Sequence, residues 1–170
     1  KLISKKVNST FHDGPISFSK DGKQAAYTRV NYIVNKKDKN FVNRAKIYFS
    51  EVNGKSFSKP KPFIYNSDDY SCAHPALNAD GTILYFASDM PGTFGLSDLF
   101  KVAIDANGKF GTPENLGATI NTEGRETFPF VDADNNLFFA SNGHPGLGGL
   151  DIFEAKYVNK QFQNPENVGK

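Results

Sequence analysis

Short apolar runs, each introduced by a polar turn, recur along this chain at a nearly fixed distance. Ile83-Leu84-Tyr85-Phe86-Ala87 follows Asp80-Gly81, and Leu137-Phe138-Phe139-Ala140 follows Asp134-Asn135-Asn136. A weaker version, Gln24-Ala25-Ala26-Tyr27, follows Asp21-Gly22. The two stronger runs are continuous rather than alternating, the pattern of a strand covered on both faces. A second motif lies downstream of each run: Ile47-Tyr48-Phe49, Asp98-Leu99-Phe100 and Asp151-Ile152-Phe153. A third follows, pairing Phe57 with Pro60, Phe110 with Pro113 and Phe162 with Pro165. Those phenylalanines stand 53 and then 52 residues apart. A period of this size belongs to stacked-repeat architectures.

Within one unit the pattern predicts four strands, at residues 75–78, 83–88, 98–104 and 110–116. Asp-Gly and Asn-Gly pairs mark the tight turns, because Gly and Asn tolerate the positive φ those turns need. No stretch holds a helical period, so the chain reads as all-β. Four antiparallel strands repeated every roughly 40–50 residues is the pattern of a β-propeller blade. A blade is apolar on both faces, and its neighbours in the ring cover it. The expected division is a leader or end of a preceding blade at 1–10, then blades at 11–71, 72–125 and 126–170. A polar insertion is expected at 31–44. A chain of 170 residues holds just over three such units, whereas closed rings have about four to eight. The expectation is therefore a piece of a larger propeller. The alternatives are ring closure by two three-blade chains and a stack that is not a propeller.

The motif from Asp80 to Asp89 resembles the WD40-like propeller repeat of the PD40/TolB type. Longer stretches are similar to the repeats of Bacteroidota OmpA-family, outer-membrane-associated proteins, a group that includes the peptidoglycan-anchored type IX secretion component. They are His74-Pro75-Ala76-Leu77, Ser88-Asp89-Met90-Pro91-Gly92, Asn115-Leu116-Gly117 with Ile120-Asn121-Thr122, and the run from Gly143 to Phe153. The likeness covers residues 72–170; within 11–71 it is confined to Asp21-Gly22 and the later strands. It implies a location in the periplasm at the outer membrane and protein partners in the cell envelope. It also implies peptidoglycan held by a domain outside this chain.

Composition adds little to this. Twenty Lys and Arg against 18 Asp and Glu give a net charge of +2, and no basic stripe calls for nucleic acid. Lys36-Lys37-Asp38-Lys39 reads as a solvated part of the insertion. No apolar run is long enough to span a bilayer. The single cysteine, Cys72, excludes an intrachain disulfide framework.

Candidate chemistry falls away residue by residue. The Gly143 to Gly149 run lacks the following Gly-Lys-Ser/Thr and the helix that a phosphate loop needs. It reads instead as a demanding loop between the second and third strands. Asp132, Asp134 and Asn136 imitate the start of a calcium loop, but Leu137 stands where Gly is required and Gly143 where Glu belongs. A looser oxygen-ligand calcium site stays open. His12, His74 and His144 lack zinc-ligand spacing, and His74 reads as an aromatic packing residue like Phe128 one blade later. Asp98 and Asp151 recur as structural hydrogen-bond acceptors. No nucleophile elbow is present, so the chain is expected to be no enzyme and to carry no cofactor and no metal centre.

In an antiparallel blade, the loops between strands two and three share a face with the connections to the next blade. That face gathers residues 31–44, 68–73, 89–97, 123–127 and 142–150, and rigid scaffolds tend to bind through such loops. Asp89, Met90, Arg125 and His144 are the expected partner-binding residues. The leading expectation is a non-catalytic, protein-binding propeller of the cell envelope. A propeller that binds glycan or peptide through Tyr32, Tyr70 or Phe94 is the alternative, as is the propeller domain of a secreted peptidase or glycosidase.

Overall fold

The computed structural model describes Ser4, Val7, residues 13–34 and residues 41–169, with side chains described outside 31–34 and 41–42. All of its regular structure is β. The first sheet holds β1 (Asp13–Phe18), β2 (Gln24–Val34), β3 (Phe41–Asn53), β4 (Ser56–Phe57) and β5 (Lys61–Pro62). Its order is β1-β2-β3-β4, with β5 also on β3. The second runs β6 (Cys72–Leu77), β7 (Ile83–Ser88), β8 (Asp98–Ala103) and β9 (Glu114–Asn115), paired in that order. The third holds β10 (Glu126–Val131), β11 (Leu137–Ser141) and β12 (Asp151–Ala155). A small hairpin of β13 (Tyr157–Val158) and β14 (Gln161–Phe162) then leads to β15 (Glu166–Asn167), which closes that sheet on β12. Every pairing between these strands is antiparallel. These are three successive blades of a β-propeller.

The apolar positions explain how the blades stack. Along β7, Leu84 and Phe86 point one way, into a layer with Ala26 and Ile47 of the preceding sheet. Tyr85 and Ala87 point the other way, into a layer with Leu137, Phe139 and Phe153 of the following sheet. This is why the runs are continuous in sequence: a blade strand has two buried faces. The recurrent phenylalanines also take one repeated place. Phe57 packs on Ala25 and Tyr27, Phe110 joins the layer of Phe63 and Phe86, and Phe162 joins that of Tyr85. Each leans back onto the preceding layer. Before the first blade, that layer is filled by Val7, whose carbonyl accepts two hydrogen bonds from Arg29 at 3.0 and 2.7 Å.

Three expectations need correction. The expected insertion is strand at both ends, with Asn31 opposite Arg44 and Val34 opposite Phe41. Tyr32, Ile33, Val34, Phe41 and Val42 are β-formers, and they prolong the hairpin; Lys36, Lys37, Asp38 and Lys39 lie outside the described residues. The innermost strand of the second blade begins at Cys72 rather than Pro75. Pro75 sits inside a bulge where the register shifts between Ala73 and Ala76, so pairing resumes on both sides of it. The fourth strand contracts to Glu114–Asn115, with an isolated bridge from Ile104 to Phe110.

Candidate interaction surface on the long-loop face

The face opposite the tight turns is built by polar groups that fix the loop backbones. At the end of β7, the Ser88 hydroxyl donates to the Ser71 carbonyl (2.6 Å) and accepts from the Met90 amide (3.1 Å). Ser141 repeats this at the end of β11, donating to Glu126 (2.6 Å) and accepting from the Gly143 amide (3.0 Å). The recurrent acids then hold the far side of each loop. Asp98 is fully buried and accepts from the amides of Phe94 (2.8 Å) and Gly95 (3.3 Å) and from the Asn115 side chain (2.7 Å). Asp151 accepts from the amides of Leu147 (2.8 Å) and Gly148 (3.2 Å). Both acids are structural acceptors, in keeping with their shared place in the second and third copies, where the first copy has Ile47.

The loops also lock onto one another. A β-carbon on Gly95 would collide with the Glu123 backbone, and one on Gly124 would lie 2.7 Å from both Asn142 Oδ1 and Gly143 Cα. The Leu96 amide donates to the Gly124 carbonyl at 2.8 Å. The glycines here permit close approach of backbones, so the loops are braced. What these braced loops present is apolar. Phe94 is 54 % exposed, Leu96 59 % and Leu147 80 %.

The expected partner-binding residues divide. Asp89 and Arg125 line one small cavity of about 170 Å³ with His74, Leu96, Ser97 and Thr127. Asp89 accepts from the Ser71 amide at 2.6 Å and faces Arg44 of the first blade at 3.9 Å. Met90 is a correction: it is buried in the core layer of Cys72 and Phe86 and supports its loop from beneath. A thioether flanked by Pro fills an irregular gap, and the loop composition concealed that. His144 is half-buried among Phe139 (5.7 Å) and Phe153 (5.1 Å), and its Nε2–H donates to the Ile120 carbonyl at 2.8 Å. It too belongs to the packing. Leu96 and Leu147 went unmarked in the sequence, although an apolar residue beside Gly in a long loop was the available signal.

The remaining candidates resolve in the same way. His74 is packed, as its alignment with Phe128 implies, and burial pulls its pKa down to about 4. Asp132 accepts from the amides of Asp134 (2.9 Å) and Asn136 (2.8 Å) and from the Asn136 side chain (2.9 Å), a turn that closes on itself. Tyr70 turns its hydroxyl inward to the Tyr65 carbonyl at 3.1 Å. His12 and the Tyr32 side chain lie outside the described residues. Among the described residues, no three His, Cys, Asp or Glu side chains converge as metal ligands. No described helix is long and apolar enough to cross a membrane.

Three stacked antiparallel sheets, one of five strands and two of four, define a partial β-propeller. Known proteins agree at the level of fold. A puromycin-hydrolysing peptidase of Mycobacterium tuberculosis superposes with a TM-score of 0.56 at 14% identity, over 92% of this chain and 23% of that one. A thermostable family-43 glycoside hydrolase superposes with a TM-score of 0.54 at 11% identity, over 89% of this chain and 56% of that one. The chain thus spans 23% and 56% of the two proteins it superposes on. No protein-family model and no curated protein sequence matches it.

Proposed function

We propose that this chain is a non-catalytic propeller segment that serves as a protein-interaction scaffold. The observation that carries the reading is the trio Phe94, Leu96 and Leu147. They are large, apolar and exposed, yet stand on loops immobilised by Asp98, Asp151 and the close approach of Gly95 and Gly124. A solvated loop tip gains nothing from such side chains, whereas a docking surface gains affinity when its apolar anchors are pre-organised. The repeat likeness supports a place in the cell envelope, at the outer membrane on the periplasmic side. It also supports assembly with envelope proteins, and peptidoglycan attachment through a domain outside this chain.

A second reading has the two superposed hydrolases behind it: the propeller part of a peptidase or glycosidase. Among the described residues, Asp98, Asp151, Asp132 and Glu126 accept several structural hydrogen bonds each. That leaves those acids poorly placed to act as catalytic carboxylates and favours the scaffold. The test is crosslinking and capture from the native envelope with the wild-type protein and a Phe94→Ala/Leu96→Ala/Leu147→Ala variant. Loss of the captured proteins in the variant supports the scaffold. Equal recovery from both would end it.

A further inference from the structure

Resting on the scaffold reading, the geometry points to what the long-loop face recognises. We propose that the cavity between the second and third blades binds an acidic side chain of a protein partner, with Leu96 seating an apolar neighbour of that residue. Arg125 is exposed, and no acceptor among the described residues takes its guanidinium. Its backbone is nevertheless fixed. The amide donates to Asn142 Oδ1 at 2.8 Å, the carbonyl accepts from the Asn142 amide at 3.3 Å, and the residue bridges to Ser97. A planar fork of five N–H donors anchored on a held backbone suits a carboxylate, which it grips through two parallel hydrogen bonds.

The other charged groups sharpen the choice. Asp89 lines the same cavity, but one oxygen takes the Ser71 amide and the other faces Arg44. Glu126, next in sequence and fully buried, takes Thr122 Oγ1 (2.7 Å) and Ser141 Oγ (2.6 Å) on one oxygen and the Thr122 amide (2.8 Å) on the other. Arg125 is therefore the unsatisfied group. With two carboxylates nearby, a singly charged carboxylate is favoured over a phosphate dianion. At about 170 Å³ the cavity is smaller than the roughly 300–1,000 Å³ of small-molecule sites. It is sized for one side chain. Leu96, 59 % exposed on its rim and held by the Gly124 carbonyl, supplies the apolar contact beside it.

The test is an NMR titration of the chain with N-acetyl-Leu-Glu-Leu-amide, with the Gln analogue and inorganic phosphate as comparison probes. The expected result is a saturable shift of the Leu96, Ser97 and Arg125 amide signals at millimolar peptide. Arg125→Gln and the Gln peptide should each weaken binding by roughly tenfold, the loss of a charge-assisted pair. Equal binding of both peptides, preferential binding of phosphate, or no saturable shift would overturn the proposal. The same Arg125→Gln variant belongs in the envelope capture beside Leu96→Ala. Partners lost by Leu96→Ala but kept by Arg125→Gln would refute the acidic ligand and leave the scaffold standing. Partners kept by both single variants would overturn the acidic ligand, and partners kept by the Phe94→Ala/Leu96→Ala/Leu147→Ala variant as well would overturn the scaffold reading itself.

Discussion

The imidazole of His74 lies flat on the ring of Phe128, with centroids 3.9 Å apart and planes 17° from parallel. The two residues hold one position in successive blades, each before a proline, with φ of 53° and 50°. Positive φ is unfavourable for bulky side chains and costs on the order of 1–3 kcal/mol each. The same bulge recurs at both sites, where the register shifts between Ala73 and Ala76 and between Thr127 and Phe130. Contacts between blades offset the strain. The His74 amide donates to Thr28 Oγ1 of the first blade at 2.8 Å, while its Nδ1 lies 2.6 Å from Thr127 Oγ1 of the third. One residue thus ties together all three sheets.

That junction predicts a pH dependence. Burial lowers the His74 pKa from 6.5 to about 4, so the folded protein favours the neutral ring. The stabilisation is complete above pH 6.5 and is lost as pH falls toward 4, amounting to about 3 kcal/mol at most. Urea unfolding across that window should show the decline, and His74→Phe, which copies the next blade, should flatten it. An unchanged slope in His74→Phe would show that other groups carry the effect.

Matched positions in neighbouring blades separate burial from residue type. Leu99 and Ile152 are repeat equivalents, yet Leu99 is 0 % exposed and Ile152 49 %. The third blade covers the first of these, and no described sheet covers the second. Leu99→Ala should cost about 3 kcal/mol through the cavity it leaves, and Ile152→Ala less than about 1 kcal/mol. Denaturation midpoints of the two variants measure the difference, and equal losses would contradict the stacking order.

The stacking was legible because its cause is periodic. Leu84, Leu137 and the phenylalanines at 57, 110 and 162 repeat for the same physical reason, the need to fill one layer per blade. The turns were legible too: Gly81 and Asn135 take φ of 70° and 66° at equivalent places. The site was less so. Met90 resembles a loop residue until its neighbours are known, and His144 looks like a free imidazole until Phe139 and Phe153 enclose it. Leu96 gains meaning only through the Gly124 carbonyl, a contact between loops that no local pattern encodes. The prolonged hairpin of β2 and β3 was hidden by its charged tip, although Tyr32, Ile33 and Val34 are strand formers.

The recurrent acids should differ in weight. Asp98→Ala leaves two amides and one of the two Asn115 Nδ2–H groups without an acceptor at a buried position, the other keeping the Gly92 carbonyl, a loss of about 3 kcal/mol. Asp151→Ala frees two amides at an exposed loop, where water replaces the carboxylate, and should cost about 1 kcal/mol. Limited proteolysis adds a local readout: new cleavage should appear at residues 89–97 in the first variant and at 142–150 in the second. Cleavage elsewhere would mean that the acids do not brace their own loops.

Cys72 offers a probe of the same core from within. It is fully buried, and burial pushes its thiol pKa up to about 12, so the reactive thiolate is scarce even at pH 8. Its Sγ lies 3.6 Å from the Tyr65 carbonyl and 3.7 Å from Ser88 Oγ, enclosed in the layer that joins the first two blades. An aromatic disulfide reagent should therefore label it only through opening of that layer, and at full rate in denaturant. Leu99→Ala and His74→Phe act on different layers, which gives the labelling rate resolving power. If the three blades unfold as one unit, Leu99→Ala should accelerate labelling by its whole loss of stability. If the layer between the first two blades opens while the second and third blades stay packed together, Leu99→Ala should leave the rate nearly unchanged. Rapid labelling of the native wild-type protein would contradict the enclosed thiol directly.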